Sequence, residues 1–329
     1  MVSLAAPARL GFADKHPTAA FLLRRIGRMI ILLLLLLVLS FAMIHLVPGD
    51  PVRAELGPRA PASAVEARKA ELGLDQPLPQ QFADYVQGLL TGDLGTSTTL
   101  HLPVSEVIAE RLPNSARLAG IAFVVIMLLS ITIGMIAAVM TKDGRHSGGE
   151  LAFTSATGFF ATIPEFVLGV ALVYAFGVEL DWFPVAYEPG VAAYVLPVAA
   201  LSIGSIAALS RIVRVETLDV LGADYMRTAR SKRLPARLTY LRHALPNMLT
   251  STLTLGGLLL SGLIGATVLV ENVFAWPGLG TAVVDSVVAQ DYALAEAIMV
   301  LLGATVLIIN LAVDLIIGLI DPRSTIREL

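Results

Sequence analysis

Two long stretches of this chain contain no charged residue. Met29 to Val47 has none across 19 residues, and Leu118 to Thr141 has none across 24. A bilayer core of roughly 30 Å needs about 20 apolar residues in a helix, and a helix satisfies its backbone polar groups internally. The whole chain is only 15% charged, against about 25% in soluble domains. The sequence therefore predicts an all-α integral membrane protein.

Four further apolar stretches bring the predicted number of spans to six. The third stretch is interrupted by Pro164 and Glu165, the fourth by Pro197 and Arg211, and the last by Asp314. A helix tolerates such residues in a membrane when its neighbours satisfy them. The six predicted transmembrane helices cover 29–47, 118–141, 151–178, 194–213, 249–270 and 294–320.

The charges between the predicted spans alternate in sign along the chain. Residues 1–28 hold five basic residues and one acid, and 211–246 hold eight basic and three acidic. By contrast, 48–111 holds five basic and nine acidic residues, while 179–193 and 271–296 hold only acids. Because basic segments stay in the cytoplasm, we expect both tails, 1–28 and 321–329, to be cytoplasmic. The alternation is consistent with six spans.

The first outer segment, 48–111, is the longest predicted extramembrane part and carries local helix signals. A serine–glutamate capping box predicts a helix that ends at a glycine, over 63–73. A proline begins a second helix over 79–90. A third helix is predicted over 104–111, ending near Pro113. We therefore expect two or three packed extracytoplasmic helices.

A basic cytoplasmic loop within 214–246 concentrates six Lys or Arg residues and one His between Asp224 and Pro246. Positive charge alone would suffice to hold this loop inside. Its basic residues, however, fall at helical spacing with Tyr225, Met226 and Ala229 between them, which predicts a short amphipathic helix. A helix of this kind is suited to docking a partner.

The loop resembles the EAA loop of importer-type ABC permeases, E-A-A-x3-G-x9-I-x-L-P, which forms the helix received by the ATPase subunit. Arg227, Thr228 and Ala229 stand at the triplet, and His243-Ala244-Leu245-Pro246 keeps the Leu-Pro spacing. Arg233 departs from the pattern, since the glycine at that position would permit a positive φ. The resemblance implies a coupling surface made by Asp224, Tyr225, Arg227, Thr228, Ala229, Arg230, Lys232, Arg233, His243, Leu245 and Pro246.

The whole chain resembles the dipeptide, oligopeptide and nickel branch of these permeases. Eight blocks of that branch occur in order, at 48–51, 71–77, 92–97, 103–113, 224–232, 242–247, 276–280 and 314–323. The resemblance implies the first permease of a pair, with a permease domain over 112–323 that moves peptides inward. Nickel or another small solute is the alternative. The implied partners are a homologous second permease, two ATPases that bind ATP and Mg²⁺, and an extracytoplasmic solute-binding protein.

The sequence itself carries no pattern typical of catalysis. None of the four lysines, Lys15, Lys69, Lys142 and Lys232, follows a glycine, so the phosphate-binding motif G-x-x-x-x-G-K-[ST] is absent. The chain has no cysteine and its five histidines are far apart, so we predict neither a metal site, nor a cofactor, nor nucleic-acid binding. We expect a non-catalytic, multi-pass subunit of a bacterial cytoplasmic membrane that contacts lipid, second permease and peptide.

Two carboxylates inside the spans are candidates for the translocation path. Glu165 lies about 14 residues into the third span, where an ionisable group normally faces a bundle interior or a watery cavity. The alternative is a carboxylate held structurally at the proline break. Asp314 and Asn310 lie four residues apart and share a helix face, so a hydrogen bond to a neighbouring helix is the role we predict for both, with substrate contact as the alternative. These two carboxylates also keep open a stand-alone secondary transporter or channel.

The segment after the fifth span, 271–293, is predicted to form the outer mouth. Trp276 and Phe274 there suit the aromatic belt of a membrane interface, and a gate is the alternative. Glu271, Trp276 and Asp285 are further path candidates, and the resemblance implies that Asp291 adds to an acidic mouth. On the fifth span itself, small residues recur every four positions and predict close helix packing; they are Gly257, Ser261 and Gly265. The sequence leaves open whether their partner lies in this chain.

Overall fold

The computed structural model describes residues 17–46, 51–57, 59–71, 73–142, 146–231, 235 and 238–320, and this part of the chain is almost entirely helical. Its α-helices are α1 (Pro17–Leu46), α2 (Pro51–Leu56), α3 (Ala62–Glu71), α4 (Leu78–Thr91), α5 (Val104–Thr141), α6 (Ser147–Ala161), α7 (Glu165–Leu172), α8 (Ala192–Gly222), α9 (Asp224–Ser231), α10 (Leu245–Val273), α11 (Leu279–Val288) and α12 (Tyr292–Ile320). Two π-helical turns, Val173–Glu179 and Thr239–Ala244, precede the outer loop 180–191 and α10.

In the described part of the chain, five helices are long and apolar enough to cross a membrane. A sixth span is counted when α6 and the helical segment from α7 to Glu179 are taken as one broken span. These numbers confirm the all-helical membrane protein that the apolar stretches predict. The five helical spans are Leu23–Ala42, Val104–Thr141, Ala192–Gly222, Thr252–Val273 and Tyr292–Ile316.

The first helix begins earlier than the sequence predicts. Residues 17–28 belong to α1, so this part of the predicted cytoplasmic tail is helical and continuous with the first span. Pro17 suits the first position of a helix, because its missing N–H has no intrahelical partner there. One turn before the predicted span, Arg25 Nη1 lies 2.8 Å from Asp314 Oδ2 of α12 and ties the two helices together. Residues 1–16 and 321–329 lie outside the described part.

Helix α5 continues through Pro113, so the predicted end of a separate outer helix at this position is wrong. Proline removes one backbone hydrogen bond, but a membrane helix tolerates it where neighbouring groups fix the backbone. The next two residues supply such contacts: Asn114 Nδ2 donates to Pro277 O at 2.9 Å, and Ser115 Oγ accepts from Leu279 N at 2.8 Å. The outer segment and the second span therefore share one 38-residue helix.

The third span is broken where the sequence places Pro164. Helix α6 ends at Ala161, Pro164 is extended, and the two helical arms meet at 95°. A residue before proline avoids the helical region, and proline itself has no N–H to continue the ladder. Gly204 of α8 lies against this break, since a methyl group added there would be 3.4 Å from Phe160 O. The predicted span 151–178 is therefore not one straight helix.

Helix α8 lies at the centre of the bundle and packs along α5. A methyl group added to Gly134 of α5 would lie 2.6 Å from Val213 Cβ and 2.7 Å from Ser210 O, so the two backbones approach closely here. Small residues at membrane helix interfaces permit this approach, and van der Waals packing then holds the pair. The surrounding core includes Leu118, Ile126, Leu201, Met248, Val270 and Trp276.

The fifth and last helical spans, α10 and α12, pack through the small residues of α10. A methyl group on Gly257 would lie 2.6 Å from Val313 Cγ1, and Ser261 Oγ donates to Asn310 Oδ1 at 2.8 Å. A methyl group on Gly265 would meet no atom within 4 Å. Two of the three small residues therefore have their partner helix inside this chain, and the structural role predicted for Asn310 is confirmed.

Candidate functional site

The predicted cytoplasmic helix is present as α9, Asp224–Ser231. Met226 is fully buried and packs with Leu221 at the end of α8 and with Ala244 just before α10. Tyr225, its neighbour, is 45% exposed. One face of α9 is thus fixed to the bundle while Tyr225 lies on its surface, an arrangement suited to receiving a partner.

The end of α8 from which α9 emerges is fixed by a polar network. Arg214 Nη2 donates to Glu150 Oε1 of α6 at 2.6 Å, and Arg214 Nε donates to Thr141 Oγ1 of α5 at 3.1 Å. A hydrogen bond between charged, partly buried groups is stronger than one between neutral groups. Three helices therefore meet at Arg214. The sequence pattern marks this residue only as one of the basic residues of the loop.

The other predicted coupling residues are distributed over several elements. Arg227, Thr228, Ala229 and Arg230 belong to the backbone of α9, whereas Lys232 and Arg233 lie outside the described residues. His243 lies in the second π-helical turn. Leu245 and Pro246 begin α10, where proline at the start of a helix is tolerated. The kept Leu-Pro spacing therefore marks the start of the fifth span.

Glu165 is the first residue of α7 and is half-buried. A carboxylate at a helix N-terminus interacts favourably with the helix dipole and its unpaired N–H groups. The structure places it directly after the 95° break and not within a straight span. Its position fits the structural alternative, and lining of the path stays a prediction.

Trp276 and Phe274 do not form an aromatic belt, so that interpretation is wrong. They are 0% and 2% exposed, and Trp276 makes edge-to-face contacts with Tyr187 and Tyr194 at ring-centroid distances of 4.7 and 4.6 Å. The chain reverses after α10 at Ala275, whose φ is 47°, and folds back onto the bundle. Both aromatic side chains are consequently inside the protein and not at its lipid boundary.

Hydrogen bonds fix this reversed segment to α5. Trp276 Nε1 donates to Asn114 O at 3.3 Å, in return for the bond from Asn114 to Pro277 O. Thr281 Oγ1 donates to Trp276 O at 2.7 Å and so connects the turn to α11. We call residues 271–281, together with Asn114 and Ser115, the outer closure.

Glu271 lies inside the outer closure and is fully buried. Gly280 N donates to its Oε2 at 2.7 Å, and a side chain at Gly280 would approach both this carboxylate and Val268 Cα. Glycine is therefore required for the close approach of α11 to α10. Because Glu271 and Trp276 are both enclosed, their surroundings favour a structural role, and their part in the path stays a prediction.

The acidic outer mouth is only partly as expected. Asp285 is exposed and borders a cavity of about 120 Å³ whose lining also includes Arg111. Asp291 is fully buried, accepts from Thr99 N at 3.2 Å and is hydrogen-bonded to Ser97 Oγ. Of the three acids expected at the mouth, Glu271 and Asp291 are inside the protein, so the expectation is wrong for these two.

Asp314 is a structural partner of Arg25 at the opposite end of the bundle. The pair borders a cavity of about 250 Å³ between α1, α10 and α12. Such pairing is how an intramembrane carboxylate normally avoids the cost of isolation. This position favours the structural role that the sequence predicts for Asp314.

The sequence pattern does not single out Glu296, a glutamate within the first two turns of α12. It is 5% exposed, and its Oε1 makes no hydrogen bond within the described part of the chain. The available signal is a carboxylate within a predicted apolar span, the same signal that singles out Glu165 and Asp314. Among the described residues no three His, Asp or Glu side chains come close enough to hold a metal ion.

Comparison with known proteins matches nearly the whole chain. The family model described as binding-protein-dependent transport system inner membrane component matches residues 130–326, and its N-terminal counterpart matches 18–119. The glutathione transport system permease protein GsiC of Pectobacterium atrosepticum is 37% identical over 302 residues, 92% of this chain and 97% of that protein. A Brucella suis protein whose name describes a peptide transport system permease is 36% identical over 312 residues, 92% of this chain and 98% of its own. A solved structure titled as an amino acid ABC transporter with histidines is 18% identical over 67% of this chain and 94% of its own, with a TM-score of 0.46.

Proposed function

Because the chain belongs to the family of binding-protein-dependent transport system inner membrane components, we propose that it is the membrane permease of an ABC importer for peptides. Relatives matched over more than nine-tenths of this chain are named as glutathione and peptide transport permeases. Glutathione is itself a short peptide, so both names favour peptides over nickel. The importer subunit crosses the bacterial cytoplasmic membrane several times.

The observation that carries this proposal furthest is the attachment of α9. Met226 holds the helix to the bundle, while Tyr225 beside it is exposed. Arg214 fixes the end of α8, so a force applied to α9 is passed to α5, α6 and α8. This geometry supports α9 as the element that an ATPase moves. Rigid-body rocking of the helices would then alternate access to the path.

ATP binding and hydrolysis belong to separate subunits in this proposal. The chain has no sequence pattern for a phosphate cradle, so it acts as a non-catalytic subunit, and ATP and Mg²⁺ bind to two partner ATPases. A homologous second permease completes the translocation path, and an extracytoplasmic binding protein delivers the peptide. The family's description supports the binding protein, and the names of the relatives as transport system permeases support the other partners.

Replacement of Tyr225 tests the coupling role. Tyr225→Ala removes an exposed side chain and leaves Met226 in place, so α9 should remain attached. We expect the ATPase to be lost during purification in mild detergent, and peptide-stimulated ATP hydrolysis to fall with it. Asp219→Ala, at an exposed position near the end of α8, is the matched control and should retain both.

Purification of the tagged, unaltered chain from its native membrane tests the assembly itself. Mass spectrometry should identify a homologous permease and ATPase subunits. A chain recovered without any ATPase, and active in vesicles driven by an ion gradient alone, would replace the importer with the secondary transporter or channel. Intact co-purification of the ATPase with Tyr225→Ala would instead remove Tyr225 from the coupling surface.

A conservative substitution tests Glu165 as a path residue. Glu165→Gln removes the charge and keeps the size of the side chain at the start of α7. If the carboxylate meets the ammonium end of a peptide, uptake should fall while assembly and basal ATP hydrolysis stay normal. Unchanged uptake would assign Glu165 to the proline break alone.

A further inference from the structure

A second polar cavity lies at the outer end of the bundle, away from α9 and from the outer closure. It has a volume of about 290 Å³ and lies between α4, the turn that follows it, and the first two turns of α12. Helix α4 is fixed against α1 by an edge-to-face contact of Phe41 with Phe82, at 5.3 Å between ring centroids. The cavity therefore has walls from the extracytoplasmic segment and from the last span.

The inner wall of the cavity carries a buried carboxylate. Glu296 is 5% exposed, and its Oε1 makes no hydrogen bond with any described residue. A buried polar group without a partner is costly, and an ionisable group in a membrane helix normally has a counter-charge. Glu296 lies close enough to the outer end of α12 for such a partner to enter from outside.

The facing wall, from α4, carries an acceptor as well. The Tyr85 hydroxyl also makes no hydrogen bond in the described part of the chain. Burial raises the pKa of Tyr85 to about 12, the Ser40 hydroxyl opposes this rise although no hydrogen bond of normal geometry joins the two groups, and the negative charge of Glu296 adds to it. Tyr85 is therefore a neutral phenol whose oxygen is able to accept a hydrogen bond.

The charged residues that line the cavity in the described part of the chain are all acidic. Asp84 and Asp93 lie exposed at its rim, and none of its described lining residues is Lys, Arg or His. Asp93 Oδ1 accepts from Gly95 N at 3.1 Å, which leaves its second oxygen for other contacts. Three carboxylates with low-dielectric walls concentrate a cation in the space between them.

The absence of a converging group of metal ligands among the described residues favours an organic cation over a metal. Calcium and magnesium need several oxygen ligands that converge on one point, and the described acidic residues form no such group. An ammonium group has three N–H donors and is able to satisfy acceptors that lie further apart. Leu94, Ala293 and Ala297 also line the cavity and offer apolar contact to a short carbon chain.

We propose that this cavity binds a primary ammonium group of a small organic amine, with the Glu296 carboxylate as its counter-ion. The Tyr85 hydroxyl accepts a second hydrogen bond, and Asp84 and Asp93 attract the cation to the opening. The site is distinct from the coupling helix and does not require that the chain be an importer.

The test is the binding of propylammonium chloride to the purified full-length chain, measured by isothermal titration calorimetry. Glu296→Gln should weaken binding at least about tenfold, because it removes one partner of a buried charge pair and keeps its shape. Asp75→Asn changes an exposed carboxylate of the same outer segment and should leave the affinity unchanged. The neutral isostere 1-propanol should not compete.

Two milder variants decide the question if Glu296→Gln does not fold. Asp84→Asn alters only the exposed rim, and Tyr85→Phe removes only one hydroxyl, so each should weaken binding by a few-fold while thermal unfolding without ligand stays normal. A propylammonium affinity equal to that of the unaltered chain in every variant that folds would overturn the proposal. Binding of 1-propanol as tight as that of the amine, or displacement of the amine by an equal concentration of Mg²⁺, would also overturn it.

Discussion

The outer closure and helix α9 are held to the bundle in opposite ways. In the outer closure Trp276 and Glu271 are fully buried, and hydrogen bonds to Asn114 and Ser115 of α5 hold the segment 271–281 to that helix. Helix α9 is only eight residues long, and its one described buried side chain is Met226. The outer end is therefore built to keep one shape, whereas α9 is a small element joined to a fixed helix end. This difference is the one expected if, as we propose, α9 receives movement from an ATPase.

The largest expected effect is from removal of the indole in the outer closure. Trp276→Ala should lower the free energy of unfolding by about 3 to 5 kcal/mol, because it leaves a cavity between Tyr187, Tyr194 and α5. Denaturant titration of the purified chain in detergent measures this loss. Trp182→Ala is the matched control, since Trp182 is 64% exposed, and should cost about 1 kcal/mol or less. Similar losses for both variants would show that the outer closure is not the rigid region.

The glycine of the outer closure gives the next largest effect. In Gly280→Ala the new methyl group would lie 2.5 Å from Val268 Cα and 2.7 Å from Glu271 Oε2. Because the nearest atom is a backbone atom, we expect the free energy of unfolding to fall by about 3 kcal/mol, the upper end of the range for overpacked cores. The same denaturant titration measures it. Gly262→Ala in α10 meets nothing within 4 Å and should be neutral or stabilising; a neutral Gly280→Ala would mean that α11 moves away at little cost.

Removal of the one described buried side chain of α9 should act locally. Met226→Ala should weaken the docking of α9 by about 2 kcal/mol, the low end for a buried methionine, without a matching loss in global stability. Amide hydrogen exchange in α9 should become roughly 30-fold faster, because exchange follows local opening. Tyr225→Ala, at the exposed neighbouring position, should leave exchange unchanged. An equal loss of protection in α5 would contradict the separation of the two regions.

The contrast between these regions is only partly predictable from the sequence. The length of a stretch without charged residues predicts a span, as in Leu118 to Thr141, and the helical spacing of the basic residues predicts α9. The break at Pro164 follows from a local steric rule, although its 95° angle does not. Local rules fail at Pro113, where contacts with a segment more than 160 residues away keep α5 continuous.

The candidate site residues are likewise only partly predictable from the sequence. An intramembrane carboxylate indicates that a partner is required, but sequence does not say which one, so Asp314 proves to face Arg25. Trp276 fits an aromatic belt by its position in the sequence and is buried instead, because the turn at Ala275 folds it back. Glu296 carries the same signal as Glu165, and its surroundings become visible only when α4 is placed against α12.

Helix α10 joins the two regions, since it begins after the coupling loop and ends in the outer closure, and Ser261 lies near its middle. Ser261→Ala removes the hydrogen bond to Asn310 and should cost about 0.6 kcal/mol, the average for interhelical bonds in membranes. Ser130→Ala is the matched control, because the buried Ser130 hydroxyl makes no hydrogen bond in the described part of the chain, and its loss should be neutral or stabilising. Denaturant titration of both variants compares them. A cost near 3 kcal/mol for Ser261→Ala would extend the rigid region from the outer closure to the middle of α10. The expected cost of about 0.6 kcal/mol instead confines the rigid region to the outer end. The half of α10 that follows the loop is then free to move with α9.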